Sequence, residues 1–278
     1  MHFSIIRFFI IPICWCLLSA FFHAAYGSDT APEPLDVKSL FDDAGTVGTL
    51  VIYDLHRDRT LVYNPARAEK AYSPASTFKI FNSLIALETG AIKDVDQDKL
   101  PWDGHPFLVN GKVFLPEACN ADIALRIAFK NSCVPAYQLL ARRIGKQNYR
   151  RYLDAAGYGN ADLSGPVDWF WLTGELRISA YQQIDFLKQV VKETLPFSRR
   201  TYAQVRDVMV VEQTPSFVLR AKTGYAYPAS PAVGWWMGWL EQGGDIYLFA
   251  MNLDLLRPEH GKARIDITKA AFKKIGLL

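Results

Sequence analysis

Ala71-Tyr-Ser-Pro-Ala-Ser-Thr-Phe-Lys-Ile-Phe-Asn-Ser-Leu-Ile-Ala-Leu-Glu-Thr-Gly90 is the stretch on which the reading of the chain turns. Pro74 fixes its own φ and discourages helix in the residue before it. From Ser76 onward, Phe78, Phe81, Leu84, Ile85 and Leu87 recur at helical spacing, and Gly90 is a C-terminal stop. The pattern predicts a buried helix with Ser76 at its mouth and Lys79 one turn inside. Positions three apart share a helix face, so hydroxyl and amine can meet in one cleft. The free N–H groups of a helix start would stabilise an alkoxide or a nearby oxyanion.

This pairing suits a serine nucleophile activated by a lysine. A serine hydroxyl needs a positioned base to take its proton. Only roughly one free lysine in 2,500 is neutral at pH 7. Burial beside Phe78 and Ile80 can lower a lysine pKa by roughly 3–5 units. The neutral amine can then act as a base or combine with CO2 as a carbamate. Alone, Ser-x-x-Lys is weak, since about one is expected by chance in a chain of this length. Taken by itself, an ordinary helix start with a surface lysine is the better explanation.

Composition narrows the field. A chain of 278 residues, half of them hydrophobic, can bury a substantial core. A net charge of +3 does not argue for nucleic acid. Arg142, Arg143, Lys146, Arg150 and Arg151 fall on helical sequence and read as a solvated face. At the N-terminus, Arg7 precedes an apolar run from Phe8 to Phe22, followed by small residues at 25 and 27. Residues 1–27 read as a secretory signal cut after Gly27, the run being short for a membrane span. The expected product is an exported, periplasmic chain with no stable membrane anchor. Cys14 and Cys16 would leave with the signal. Cys119 and Cys133 remain, and an exported protein can join them. The apolar helical context of Cys133 favours two free thiols instead. The scattered histidines show no metal-ligand spacing, so no metal is expected.

Along the chain, helix is expected at Val37–Asp43 and a hairpin from Thr46–Asp54 and Thr60–Tyr63. Further helices are expected at Asp122–Lys130, from Pro135 to Arg143, at Gln147–Ala156 and, capped by its serine, at Ser179–Lys192. Ser216–Lys222, Val233–Glu241 and Asp245–Asn252 read as three strands in hairpin order, and a closing helix runs from about Gly261 to Ile275. The expected fold is α+β: one antiparallel sheet formed from both termini, flanking helices and a helical lobe. Residues 28–278 read as a single domain.

Three further signals follow the Ser76–Lys79 pair. Ser132 sits at a helix junction, though a helix cap is its plain reading. Lys222-Thr-Gly224 ends a strand with Tyr225 after it. Backbone N–H groups of Ser76 and Tyr225 could form an oxyanion hole. Arg264, in the last helix, joins Lys222 and Thr223 as a donor for a carboxylate. Each has a structural explanation, but their order and context agree.

These motifs resemble those of the serine β-lactamases and penicillin-binding proteins. More closely, the chain resembles a class D (oxacillinase-type) β-lactamase. The resemblance rests on Ser76-Thr-Phe-Lys79, Ser132-Cys-Val134, Tyr158-Gly-Asn160, Trp171-Leu-Thr-Gly174, Lys222-Thr-Gly224 and Gly234-Trp-Trp-Met-Gly-Trp239. Class A enzymes and most penicillin-binding proteins look like Ser-x-Asn where this chain has Ser132-Cys-Val134.

The resemblance implies a β-lactamase that hydrolyses penicillin-type antibiotics and confers resistance to them. Ser76 would form an acyl-enzyme, and Lys79 would be an N6-carboxylysine serving as base, needing CO2 or bicarbonate but no other cofactor. Trp171 would hydrogen-bond the carbamate, and Phe78, Val134 and Leu172 would keep its pocket apolar. Ser132 and Lys222 would relay a proton. Thr223, Gly224 and Arg264 would hold the substrate, and Tyr158-Gly-Asn160 would be mainly structural. The expected partner is a small β-lactam, with no nucleic acid, and the expected assembly a monomer or weak homodimer. The chain departs from the family between Lys79 and Ser132, a longer segment than in many relatives. The Trp often found after Trp102-Asp-Gly104 is missing, and Leu115-Pro-Glu-Ala-Cys119 lies about there. Glu175 is an alternative base. An antibiotic sensor and a cell-wall transpeptidase are the rival readings. A cleavable N-terminal segment counts against the first, and Val134 in place of Asn against the second.

Overall fold

The computed structural model describes residues 31–109, 111–227 and 229–278. The expected signal segment, residues 1–27, lies outside them. The chain opens with strand β1 (Glu33–Pro34), helix α1 (Lys38–Ala44), the hairpin β2 (Gly48–Asp54) and β3 (Arg59–Tyr63), and the short helix α2 (Pro65–Ala68). A 3-10 turn, Ala75–Phe78, leads into α3 (Lys79–Glu88). Then come two small ribbons, β4 (Lys99–Leu100) with β7 (Ile123–Ala124), and β5 (Leu108–Val109) with β6 (Lys112–Val113). Helices α4 (Leu125–Lys130), α5 (Val134–Ala156), α6 (Ala180–Lys192) and α7 (Arg199–Val208) follow. The chain closes with β8 (Val210–Gln213), β9 (Phe217–Ala226), β10 (Val233–Gln242), β11 (Asp245–Asp254) and α8 (His260–Lys274).

One sheet joins the two ends of the chain, in the order β1-β3-β2-β11-β10-β9-β8. Every pairing is antiparallel except β1 with β3. The hairpin expected near the start and the three strands expected near the end are its five central strands. The α+β architecture is therefore the expected one, with a parallel edge strand added. Both faces are covered, so the central strands read as nearly continuous apolar runs. Strand alternation still sorts β10 between two cores. Trp235, Met237 and Trp239 join the core under the helical lobe. Trp236 and Leu240 join a second core with Phe41, Phe249 and Phe272, beneath α1 and α8.

Four local features place the site. The helix expected to begin at Ser76 instead begins with the 3-10 turn, because Ala75 takes a left-handed φ of 47°. The two helices expected on either side of residue 145 are contiguous and break at Gly145, whose φ of 76° is open to glycine. Lys222-Thr-Gly224 does not end its strand, since β9 continues to Ala226 against β10. Helix α6 starts with a full capping box, Ser179 and Gln182 each satisfying the other's backbone N–H. It packs on β2 and β11, and Gln183 donates to Thr77 Oγ1 at 3.0 Å, beside the Ser76 turn. The basic residues of α5 are exposed, and Arg142 pairs with Asp168 at 2.6 Å, as a solvated face would.

Loss of the cap should be felt as stability alone. Ser179→Ala is expected to cost about 1 kcal/mol. A urea titration checks this: the midpoint should fall with an unchanged slope.

Candidate active site

Lys79 has no solvent-exposed surface. Its Nζ donates to Ser76 Oγ at 2.9 Å, so the spacing of three does bring the pair together. Around the turn, the ring of Phe78 stacks on Trp171 and meets Phe170, Tyr149 and Tyr158 edge-on or tilted. This apolar shell withholds water from the amine, and burial alone pulls Lys79 down to about 7. The ring of Tyr137 lies 5.0 Å from Nζ and is fixed by a 2.8 Å hydrogen bond between its hydroxyl and Ser83 Oγ.

Trp171 is fully buried, and its Nε1–H meets no acceptor among the described residues. A buried donor of this kind calls for an acceptor, and an anionic one such as a carbamate would satisfy it. Asn160 positions the Trp171 loop. It donates to Glu175 O at 2.8 Å and accepts from Arg177 N at 2.9 Å. That is the structural part expected of Tyr158-Gly-Asn160. Glu175 itself is 67% exposed and paired with Arg177, so the alternative base is held at the surface and does not line the cleft.

Ser132 ends α4 in a left-handed turn, φ 58°. Its N–H bonds Phe129 O, and that of Cys133 bonds Ala128 O. This is the Schellman pattern, in which glycine usually holds the left-handed position. Serine there costs on the order of 1–3 kcal/mol. Ser132 Oγ accepts from Lys222 Nζ at 3.0 Å. Lys222 is also buried and lies well below an ordinary lysine. Desolvation is the main cause, and the charges of Lys79 and Arg264 add to it.

Strand β8 pairs with β9 only at residues 218–220, which leaves the upper part of β9 open on that edge. Lys222 Nζ bonds Thr223 O at 3.0 Å on this side. Alternation along the strand directs the N–H of Tyr225 to the same edge. Gly224 brings the strand against the Ser76 turn: a Cβ there would lie 3.0 Å from Pro74 O and 3.1 Å from Thr77 Cγ2. Arg264 donates to Gly224 O at 2.5 Å, and burial lowers its guanidinium to about 10, still cationic at neutral pH.

Together these groups line a cleft of about 190 Å³. Of the expected residues, Ser76, Ser132, Val134, Leu172, Thr223, Gly224, Tyr225 and Arg264 face it. Lys79, Phe78, Trp171 and Lys222 are buried. Several residues on the cleft were not expected from the sequence. Phe114, 45% exposed, stacks on Tyr225 at 5.6 Å across the mouth. Phe107, Asn131 and Tyr227 are further such residues, and Leu115 and Pro116, from the stretch expected near the missing Trp, complete the wall. The expectation of two free thiols is corrected: Cys119 and Cys133 form a disulfide. The 3-10 turn Glu117–Cys119 folds back to the α4–α5 junction and brings the two together. Among the described residues, no three His, Cys, Asp or Glu side chains gather as a metal site. No helix there is long and apolar enough to cross a membrane.

A serine on a tight turn, a buried lysine beside it, and a second serine–lysine pair under an open strand edge form the nucleophile-and-base geometry that a serine hydrolase requires. Comparison with known proteins agrees. Residues 46–276 match the penicillin binding protein transpeptidase domain. Over 94% of the chain and 96% of its relative, the sequence is 38% identical to β-lactamase OXA-5 of Pseudomonas aeruginosa. It is 39% identical to β-lactamase OXA-48 of Klebsiella pneumoniae, over 84% and 85% of the two chains. The class D β-lactamase YbXI from Nostoc superposes with a TM-score of 0.83 at 41% identity, covering 88% of this chain and all of that one. The chain belongs to the class D β-lactamases, and it is a β-lactamase hydrolase.

The close approach at Gly224 is directly testable. Gly224→Ala should push β9 away from the Ser76 turn and slow hydrolysis of a chromogenic cephalosporin by about tenfold or more. Near-UV circular dichroism should stay native.

Proposed function

We propose that this chain hydrolyses the amide bond of penicillin-type β-lactams through an acyl-enzyme on Ser76. The observation that carries the reading is the wholly buried amine of Lys79 2.9 Å from the Ser76 hydroxyl. At neutral pH a large share of that amine is uncharged and has a lone pair to accept the serine proton. Ser76 Oγ then bonds to the lactam carbonyl carbon. The oxyanion is held by the N–H groups of Ser76 and Tyr225. When the carbon–nitrogen bond breaks, the leaving nitrogen takes the Ser132 hydroxyl proton and Lys222 replaces it. The proton that Lys79 took from Ser76 then passes to Lys222, which leaves both lysines as they began and Lys79 free to act as base again. Thr223, Gly224 and Arg264 orient the substrate carboxylate, and Val134 and Leu172 shield the reacting atoms. Water next attacks the ester, Lys79 accepts its proton, and Ser76 Oγ leaves with a proton from Lys79.

The same dry amine is suited to combine with CO2. The N6-carboxylysine formed would supply a carboxylate-like base, held by the Trp171 indole N–H in the pocket of Phe78, Val134, Trp171 and Leu172. On this reading bicarbonate is the only accessory the enzyme needs. We further propose that residues 1–27 are a signal peptide and that residues 28–278 form one periplasmic catalytic domain, a monomer or weak homodimer, conferring β-lactam resistance. The composition of residues 7–27 supports export.

Intact-mass spectrometry during turnover of a penicillin tests the acyl-enzyme directly. An adduct of the full penicillin mass should appear on Ser76, and Ser76→Ala should form none and lose turnover by more than about a hundredfold. A metal-type hydrolysis without an adduct would refute the reading. The pH profile follows from Lys79. Its proton is lost as pH rises through about 7, so activity should fall below that pH. Added bicarbonate should restore part of it. Trp171→Phe, which removes the indole donor, should abolish the bicarbonate response.

A further inference from the structure

The disulfide lies beside the cleft and joins two of its parts. Cys133 directly follows Ser132 and stands at the N-cap of α5, where its side chain makes no capping hydrogen bond. Cys119 closes the 3-10 turn that follows Phe114, Leu115 and Pro116 on the cleft wall. Ser132 must hold a left-handed backbone that serine does not favour, while keeping its Oγ 3.0 Å from Lys222 Nζ. The two Schellman hydrogen bonds secure only the α4 side of this turn. On the α5 side, Cys133 is the neighbouring residue, and its side chain is anchored to Cys119.

The wall needs the same anchor. Its small ribbon, β5 with β6, hydrogen-bonds chiefly to itself, and Phe114 N–H bonds back to Phe107 O. Toward the rest of the molecule it offers ring contacts, Phe107 on Trp169 and Phe114 on Tyr225. Stacked rings at a half-exposed cleft mouth can slide. The covalent link to Cys133 fixes the wall relative to Ser132.

We propose that the Cys119–Cys133 disulfide is a positioning brace that holds Ser132 and the Phe114–Pro116 wall in register with Lys222, so that acylation depends on it and deacylation does not. The inference rests on the acyl-enzyme reading. Protonation of the lactam nitrogen passes through Ser132 and belongs to acylation alone. In deacylation the leaving atom is Ser76 Oγ, served by Lys79, which hydrogen-bonds it directly. Cleavage of the brace by a dithiol transfers two electrons and two protons to the cystine and leaves two thiols and the reagent's own disulfide. An exported enzyme would then carry full acylation activity only after oxidation.

The test uses the mature protein oxidised, reduced by a dithiol, and reoxidised, beside Cys119→Ser/Cys133→Ser. Acylation and deacylation rate constants for a penicillin are read by quenched intact-mass spectrometry, and the fold by circular dichroism. Acylation should fall about tenfold or more in the reduced protein and in the double variant. Deacylation should stay within about twofold, the spectrum should remain native, and reoxidation should restore the wild type. The double variant should not respond to the dithiol. Acylation unchanged within about twofold, an equal fall in both steps, or loss of the native spectrum on reduction would overturn the proposal. An oxidised protein that never acylates would refute the acyl-enzyme reading itself, and this inference with it.

Discussion

The exclusion of water from one lysine governs the site. Lys79 lies on the first turn of a helix whose neighbouring residues are almost all apolar, the Tyr137 ring stands 5.0 Å from its amine, and Phe78 beside it stacks on Trp171. A fall from 10.5 to about 7 corresponds to on the order of 5 kcal/mol against the charged form. That cost is large beside the net stability of an ordinary domain. The surrounding core must supply it, and on the proposed mechanism the return is an amine that can take a proton from Ser76 at neutral pH. Lys222 repeats the device a few residues from the cleft and lends its hydrogen bond to Ser132.

The sheet makes that pairing usable. The alternation of β10 between two cores fixes its register, and β10 in turn fixes β9. Gly224 lets β9 approach the Ser76 turn closely enough for the strand edge and the hydroxyl to share one cleft. Two residues in left-handed backbone, Ala75 before the first serine and Ser132 itself, set the two serines on the same opening. Strain of this kind persists where surrounding contacts over-determine the backbone. Here they are the turn hydrogen bonds, the core beneath them and the cystine.

Much of this was legible in the sequence, for local reasons. The Ser76–Lys79 spacing and the apolar period around it carry the nucleophile helix. The near-continuous apolar strands at the two ends carry the sheet. Ser179 announces its helix through a capping box written in four residues. Where the sequence misled, long-range geometry was decisive. The apolar setting of Cys133 describes a buried cysteine equally well with or without a partner, and only the fold-back at Cys119 distinguishes the cases. Helix α7 escaped notice because its buried residues, Tyr202, Val205 and Val208, are few among charged neighbours. Strand β8 is short and lies at an edge. Phe114 is a partly exposed aromatic in a polar stretch, and nothing local ties it to Tyr225, more than a hundred residues away. Tyr137 left a faint signal: Asn82 and Ser83 are polar residues inside an apolar helix, and such groups require partners when buried. Ser83 finds Tyr137, and Asn82 finds Tyr149.

The most direct measurement is a nitrogen-15 NMR titration of the Lys79 side chain in CO2-free buffer, assigned by comparison with Lys79→Arg. A midpoint near 7 is the result expected of an amine held dry beside Ser76. A midpoint that stays near 10.5, the value of an ordinary lysine, would contradict it.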